Sequence, residues 1–132
     1  MIEHEGPISG IATFGDRLVA TAGYDNQIIL WDSRERRALA RGCHDHLVNQ
    51  CEFSADGKWL VSSSSDCSAR LWSVGDMRLA ALLTGHDDDV EGVAFDPAGE
   101  RIATTSRDHS LIIFDRRGRI LRRLTGHRSD VL

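Results

Sequence analysis

Three times along this chain a histidine, a hydroxyl residue, an aspartate and an aromatic return in the same order. The sets are His4, Thr21, Asp25 and Trp31; His44, Ser62, Asp66 and Trp72; and His86, Thr104, Asp108 and Phe114. Imidazole, hydroxyl and carboxylate are the groups of a nucleophilic triad, in which the histidine takes the hydroxyl proton and the carboxylate orients the ring. Two features favour a structural role. No Gly-x-Ser-x-Gly elbow presents a hydroxyl for attack, and an enzyme needs one active site, whereas this set occurs three times. The chain is therefore read as non-catalytic, its repeated polar groups satisfying one another inside the fold.

Other clusters carry weaker chemistry. Cys43-His44-Asp45-His46, with Cys51 nearby, has metal-ligating types, but no second Cys-x-x-Cys or histidine pair completes a four-ligand zinc set, so no metal and no cofactor are expected. Asp87-Asp88-Asp89 lacks the glycine and terminal glutamate of a calcium loop and reads as a solvated recognition loop. Six arginines lie between Arg116 and Arg128. They are suited to phosphate, yet no aromatics are interleaved for base stacking, and arginine on an outer strand also guards an exposed edge. Nucleic-acid binding through this cluster is a disfavoured alternative.

The elements that must position these residues follow from the spacing. His4, His44, His86 and His127 stand 40, 42 and 41 residues apart, a period that belongs to propeller blades. After each histidine, apolar residues recur four and seven positions on: Ile8 and Ile11, Val48 and Cys51, Val90 and Val93. These mark an inner strand. Phe53 and Phe95 follow at nine, where the first copy has Thr13, so the first blade is expected to have the weaker core.

Turns at Gly15-Asp16, Ala55-Asp56-Gly57 and Pro97-Ala98-Gly99 lead to second strands Leu18-Val-Ala-Thr-Ala, Trp59-Leu-Val-Ser-Ser and Arg101-Ile-Ala-Thr-Thr, expected to be buried on both faces. Tight turns at Asp25-Asn26, Asp66-Cys67 and Asp108-His109 give third strands at Ile28 to Trp31, Ala69 to Trp72 and Leu111 to Phe114. Outer strands are expected at about Ala38 to Arg41, Leu79 to Leu83 and Ile120 to Leu124. No segment sustains a helical period.

The three concordant registers, with Gly85-His86, Gly126-His127 and Trp31-Asp32, resemble the WD40 repeat family over essentially the whole chain. The resemblance implies an all-β chain of three four-stranded antiparallel blades, a partial or oligomer-completed propeller. The blades fall at about 4–43, 44–85 and 86–125, with 126–132 opening a fourth repeat. It implies that Trp donates to the hydroxyl, the hydroxyl meets the imidazole, and the imidazole donates to the carboxylate. Phe114 has no donor, so Thr104 is expected to find another partner.

It also places the loops entering the inner strands and the turns after the second strands on one face. Glu5, Asp45, His46, Asp87, Asp88 and Asp89 come from the loops; Tyr24, Ser65 and Arg107 come from the turns. Such an acidic rim suits a basic protein or peptide. Three blades do not close a ring, so further blades in the same or another chain, or a homo-oligomer, are expected to cover the flanks. A regulatory sensor within a larger signalling enzyme is an alternative reading.

Composition agrees with a soluble protein. The chain has 132 residues, 41% hydrophobic, with net charge −4, too mild to select a nucleic-acid partner. No apolar run approaches a membrane span. Three cysteines, Cys43, Cys51 and Cys67, match no disulfide framework and are expected to be reduced, half-buried residues in a cytoplasmic protein.

Overall fold

A computed structural model describes residues 2–126. The repeat at 126–132 therefore lies outside the described residues apart from Gly126, as do His127 and Arg128. Twelve strands fill the described chain. They are β1 (Ile8–Phe14), β2 (Leu18–Gly23), β3 (Gln27–Asp32), β4 (Arg37–Cys43), β5 (Val48–Phe53), β6 (Trp59–Ser64), β7 (Ala69–Ser73), β8 (Arg78–Leu83), β9 (Val90–Phe95), β10 (Arg101–Ser106), β11 (Ser110–Asp115) and β12 (Ile120–Thr125). They form three separate four-stranded antiparallel sheets, each a meander in chain order. Each sheet is one blade of a partial propeller, with β1, β5 and β9 innermost and side by side. The outer strand β4 runs longer than its apolar core suggests, because Arg37 and Cys43 continue the ladder with Asp32 and Gln27.

The turn chemistry is that required by the strand reversals. Asn26, Cys67 and His109 all adopt left-handed φ, at 71°, 71° and 69°. Each follows a network aspartate whose carboxylate accepts the N–H two residues on, at Gln27, Ser68 and Ser110.

Side chains alternate between two faces of every blade. One face carries the polar network and is turned toward the preceding blade; the other meets the blade that follows. Ala20, Ala22, Ile28 and Leu30 of the first blade thus bury against Val48, Cys51, Phe53, Leu60 and Trp72 of the second. Val61, Ala69, Leu71 and Leu83 of the second meet Val93, Ile102, Ile112 and Phe114 of the third. Burying one such side chain stabilises by about 1.5–3 kcal/mol, and among the described residues only the middle blade does so through both faces.

Several expectations need revision. Thr13 is exposed, but the adjacent Phe14 turns to the opposite face, lies 6.1 Å from Phe53 and packs its ring over Gly57. Gly57 is required there, because a Cβ would sit 2.4 Å from that ring. The first blade thus supplies its phenylalanine one residue later. Strand β10 is fully buried on one face only: Ile102, Thr104 and Ser106 are buried, whereas Ala103 and Thr105 are partly covered and Arg101 is exposed. No blade packs on that second face among the described residues. Cys43 is exposed, Cys67 partly covered and Cys51 buried, where burial pushes its thiol up to about 12. Cys43 ends the outer strand, away from both cores.

Candidate recognition face and the networks beneath it

The repeated polar residues meet within each blade. In the first, Trp31 Nε1 donates to Thr21 Oγ1 at 2.8 Å, Thr21 Oγ1 lies 2.7 Å from His4 Nε2, and His4 Nδ1 lies 2.9 Å from Asp25 Oδ2. In the second, Trp72 Nε1 donates to Ser62 Oγ at 2.9 Å, His44 Nε2 lies 2.7 Å from that oxygen, and Nδ1 lies 2.8 Å from Asp66 Oδ2. In the third, His86 Nε2 lies 2.7 Å from Thr104 Oγ1 and Nδ1 lies 2.9 Å from Asp108 Oδ2. With Phe114 in place of an indole, Thr104 instead has the backbone oxygen of Ile112 at 3.4 Å, an acceptor rather than a donor.

These chains end in the loops above them. Each aspartate accepts the N–H of the residue after its histidine: Glu5 at 2.8 Å, Asp45 at 3.1 Å and Asp87 at 3.0 Å. Burial raises the carboxyl of Asp66, but hydrogen bonds from His44, Ser68 and Asp45 together hold it well below the usual carboxylate range. Asp108 is lowered in the same way, with Ser110, the Asp87 N–H and His86 outweighing burial, and Asp25 is also lowered. His44 moves below the ordinary imidazole value, chiefly because burial disfavours its charged form. A neutral ring with its proton on Nδ1 satisfies both neighbours. Each hydroxyl lies within hydrogen-bond distance of the imidazole of its own blade.

A second ligature fixes the rim. The turn residue before each network aspartate donates its N–H to the loop carbonyl three residues after the histidine: Tyr24 to Pro7 at 2.8 Å, Ser65 to Leu47 at 3.0 Å and Arg107 to Asp89 at 3.0 Å. Turn and loop therefore share one end of every blade. Glu5, Tyr24, Asp45, His46, Asp87, Asp88 and Arg107 are exposed there; Ser65 and Asp89 are partly covered and joined across the second and third blades by a 2.9 Å hydrogen bond. Asp45 lies 3.7 Å from Arg70, and Arg107 is paired with Glu91 at 2.9 Å. Tyr24 is 55% exposed, enough ring for an anchoring contact.

The metal-type residues go separate ways. His44 is held by Asp66 and Ser62, His46 Nδ1 accepts the Leu47 N–H, and the Cys51 thiol points at the Ala20 carbonyl. Three arginines of the last outer hairpin are likewise engaged. Arg116 lies 5.4 Å over the Trp59 ring, Arg119 pairs with Asp115, and Arg123 donates to the Gly85 carbonyl.

Sequence reasoning missed the ties between blades. Ser9 donates to the Val48 carbonyl, Asn49 to the Val90 carbonyl at 2.8 Å, and Glu52 accepts the Phe95 N–H at 3.3 Å. Ser9 and Asn49 both fall five residues after a network histidine, and that repeated polar position was the available signal.

Comparison with known proteins agrees with this geometry. The family model described as WD domain, G-beta repeat matches residues 1–32, 38–73 and 77–115. The chain belongs to the WD40 repeat family. An uncharacterized WD repeat-containing protein of Schizosaccharomyces pombe is 31% identical over 98 residues, covering 74% of this chain and 25% of that protein. The nuclear distribution protein nudF of Aspergillus niger is 28% identical, covering 85% of this chain and 30% of that protein. Autophagy-related protein 16 of Arabidopsis thaliana is 31% identical, covering 81% and 21%. The chain thus spans less than a third of the length of these curated relatives. No helix among the described residues is long and apolar enough to cross a membrane.

Proposed function

We infer that this chain is a non-catalytic protein-interaction module whose recognition face is the acidic rim, and that it binds a basic or arginine-bearing segment of a protein partner in the cytoplasm. The observation carrying this reading is the exposed row of Glu5, Asp45, Asp87 and Asp88, with Tyr24, on loops pinned from below. Their main chains are ordered before a partner arrives, so binding does not bear the cost of ordering them. Opposite charge speeds encounter and excludes acidic competitors. Membership of the WD40 repeat family supports the reading as an interaction module.

The test is an array of lysine- and arginine-bearing peptides, followed by titration of the best binder against the chain with Asp87, Asp88 and Asp89 changed to Ser. The expected result is a loss of about tenfold or more in affinity, near 1.4 kcal/mol, with an unchanged circular dichroism spectrum. Equal affinity would remove the rim from the account.

A further inference from the structure

The three outer strands are equivalent in position and unequal in chemistry. β4 reads Arg-Ala-Leu-Ala-Arg-Gly-Cys and β12 reads Ile-Leu-Arg-Arg-Leu-Thr, so each carries two exposed arginines, Arg37 and Arg41 or Arg122 and Arg123. Such charges keep an open edge from pairing with another strand. β8 reads Arg-Leu-Ala-Ala-Leu-Leu, and no Asp, Glu, Lys or Arg occurs from Leu79 through His86. Its Leu79 and Leu82 are 44% and 46% exposed, and Ala80 is exposed between them. This blade already has a neighbour on each face, so a further blade would not cover them.

The backbone of β8 also has groups to offer. In the middle blade Val74 donates its N–H to the Lys58 carbonyl at 3.0 Å, and Ser64 donates its N–H to the Ser68 carbonyl at 3.0 Å. Antiparallel residues bond in alternation. Arg70 and Trp72 therefore bond to β6, whereas Ala69 and Leu71 turn to β8, where they oppose Leu83 and Ala81. Leu82, between those two, directs its N–H and C=O to the open edge. Ala80 opposes no residue of β7, and such a bulged residue is left out of the ladder. Gly118 of the third blade lies beside the Leu82 carbonyl and has no side chain to cover it; a Cβ there would stand 3.0 Å from the oxygen. Beyond the strand, Arg123 donates to the Gly85 carbonyl and closes the edge.

We propose that β8 is the site of an isologous dimer, in which the edge strands of two copies of this chain pair antiparallel about a two-fold axis through Ala81. The outward groups of Leu82 then meet those of Ala80 of the second copy, and symmetry repeats the contact. The large Leu82 side chain stands beside the small Ala80, and Ala81 faces its own counterpart. The other two strands resist the equivalent pairing. Ala40 and Arg122 match Ala81 in register, opposite Leu30, Ile113 and Leu71 respectively. β12 would therefore set Arg122 against Arg122, and β4 would bring two Arg41 side chains to diagonal positions, about 7–8 Å apart. One pair of strands is a small contact beside the roughly 1,600 Å² of a standard interface, so the dimer forms at micromolar rather than nanomolar concentration.

Sedimentation velocity of the full chain from about 5 to 500 µM tests this, and the unaltered chain should pass from one copy to two. Leu82→Lys, at an exposed site, should leave the circular dichroism spectrum and urea midpoint unchanged and weaken association by about tenfold or more. Ala80→Lys with Leu82→Glu in one chain sets opposite charges face to face in the register centred on Ala81, and should associate more tightly than either single variant. A chain that remains a single copy throughout the range overturns the proposal. So does a dimer that Leu82→Lys leaves intact, since the copies would then meet through a flank, and so does a double variant no tighter than the single ones.

Discussion

The first and middle blades carry the same network, yet they stand differently in the molecule. Trp72 is 4% exposed, with Val48 at 0% and Cys51 at 8% on the same face. In the first blade Trp31 is half-covered, and the matching Ile8 and Ile11 are 57% and 68% exposed. The hydrogen bonds from indole to hydroxyl are nearly equal, 2.8 Å and 2.9 Å. The network therefore organises a blade from within, whereas burial of its apolar face comes from the blade beside it. This is the nearest-neighbour behaviour of a repeat array.

Substitutions can break that comparison. Trp72→Ala removes a fully packed indole and should cost about 3–5 kcal/mol in chemical denaturation, whereas Trp31→Ala should cost less than half as much. Equal losses would contradict the role given to the neighbour. Ser62→Ala leaves a buried indole N–H and a buried imidazole nitrogen without partners, and should cost about 1–3 kcal/mol. Thr104→Ala strands only the imidazole nitrogen and should cost measurably less. Urea midpoints of the two variants decide this.

Acid should loosen the molecule in two stages. Because the His44 pKa is lowered in the fold, the unfolded chain takes up that proton first. Stability is then whole above the free-imidazole value of about 6.5 and declines as pH falls below it. Asp25, Asp66 and Asp108 are held below the ordinary range, so their contribution is present above about 4 and is lost as pH falls through their folded values. A urea midpoint that rises between pH 7 and pH 5 would contradict the neutral assignment of His44. The smallest effect expected is that of Ile8→Ser with Ile11→Ser, within about 0.5 kcal/mol per site, because neither side chain is covered.

The fold was readable because its signals are local and repeated. A hydroxyl, an aspartate and an aromatic at constant offsets, with a histidine 21 or 22 residues before the aspartate, define a blade, and the turn residues between them bound its strands. The partition of β10 into one buried and one partly covered face was not readable, since Ala103 and Ile102 are both apolar and the neighbouring blade distinguishes them. Nor was the pairing of Gly42 with Trp72, two residues thirty positions apart that meet only when separate blades stack. The rim residues were placed by analogy with a repeat, and the structure puts each at the same end of its blade. The tie between Ser65 and Asp89 across two blades depends on side-chain reach, to which the spacing is silent.

Residue-resolved hydrogen exchange measures the difference between the blades directly. Among the described residues the middle blade is the one packed on both faces, so the amides of β6 and β7 should be the most protected, opening only with global unfolding. Amides of β2 and β10 should exchange through smaller openings, with protection lower by about tenfold or more, near 1.4 kcal/mol. Uniform protection across the three sheets, or greatest protection in the first, would contradict the claim that each blade draws its stability from the blades on either side.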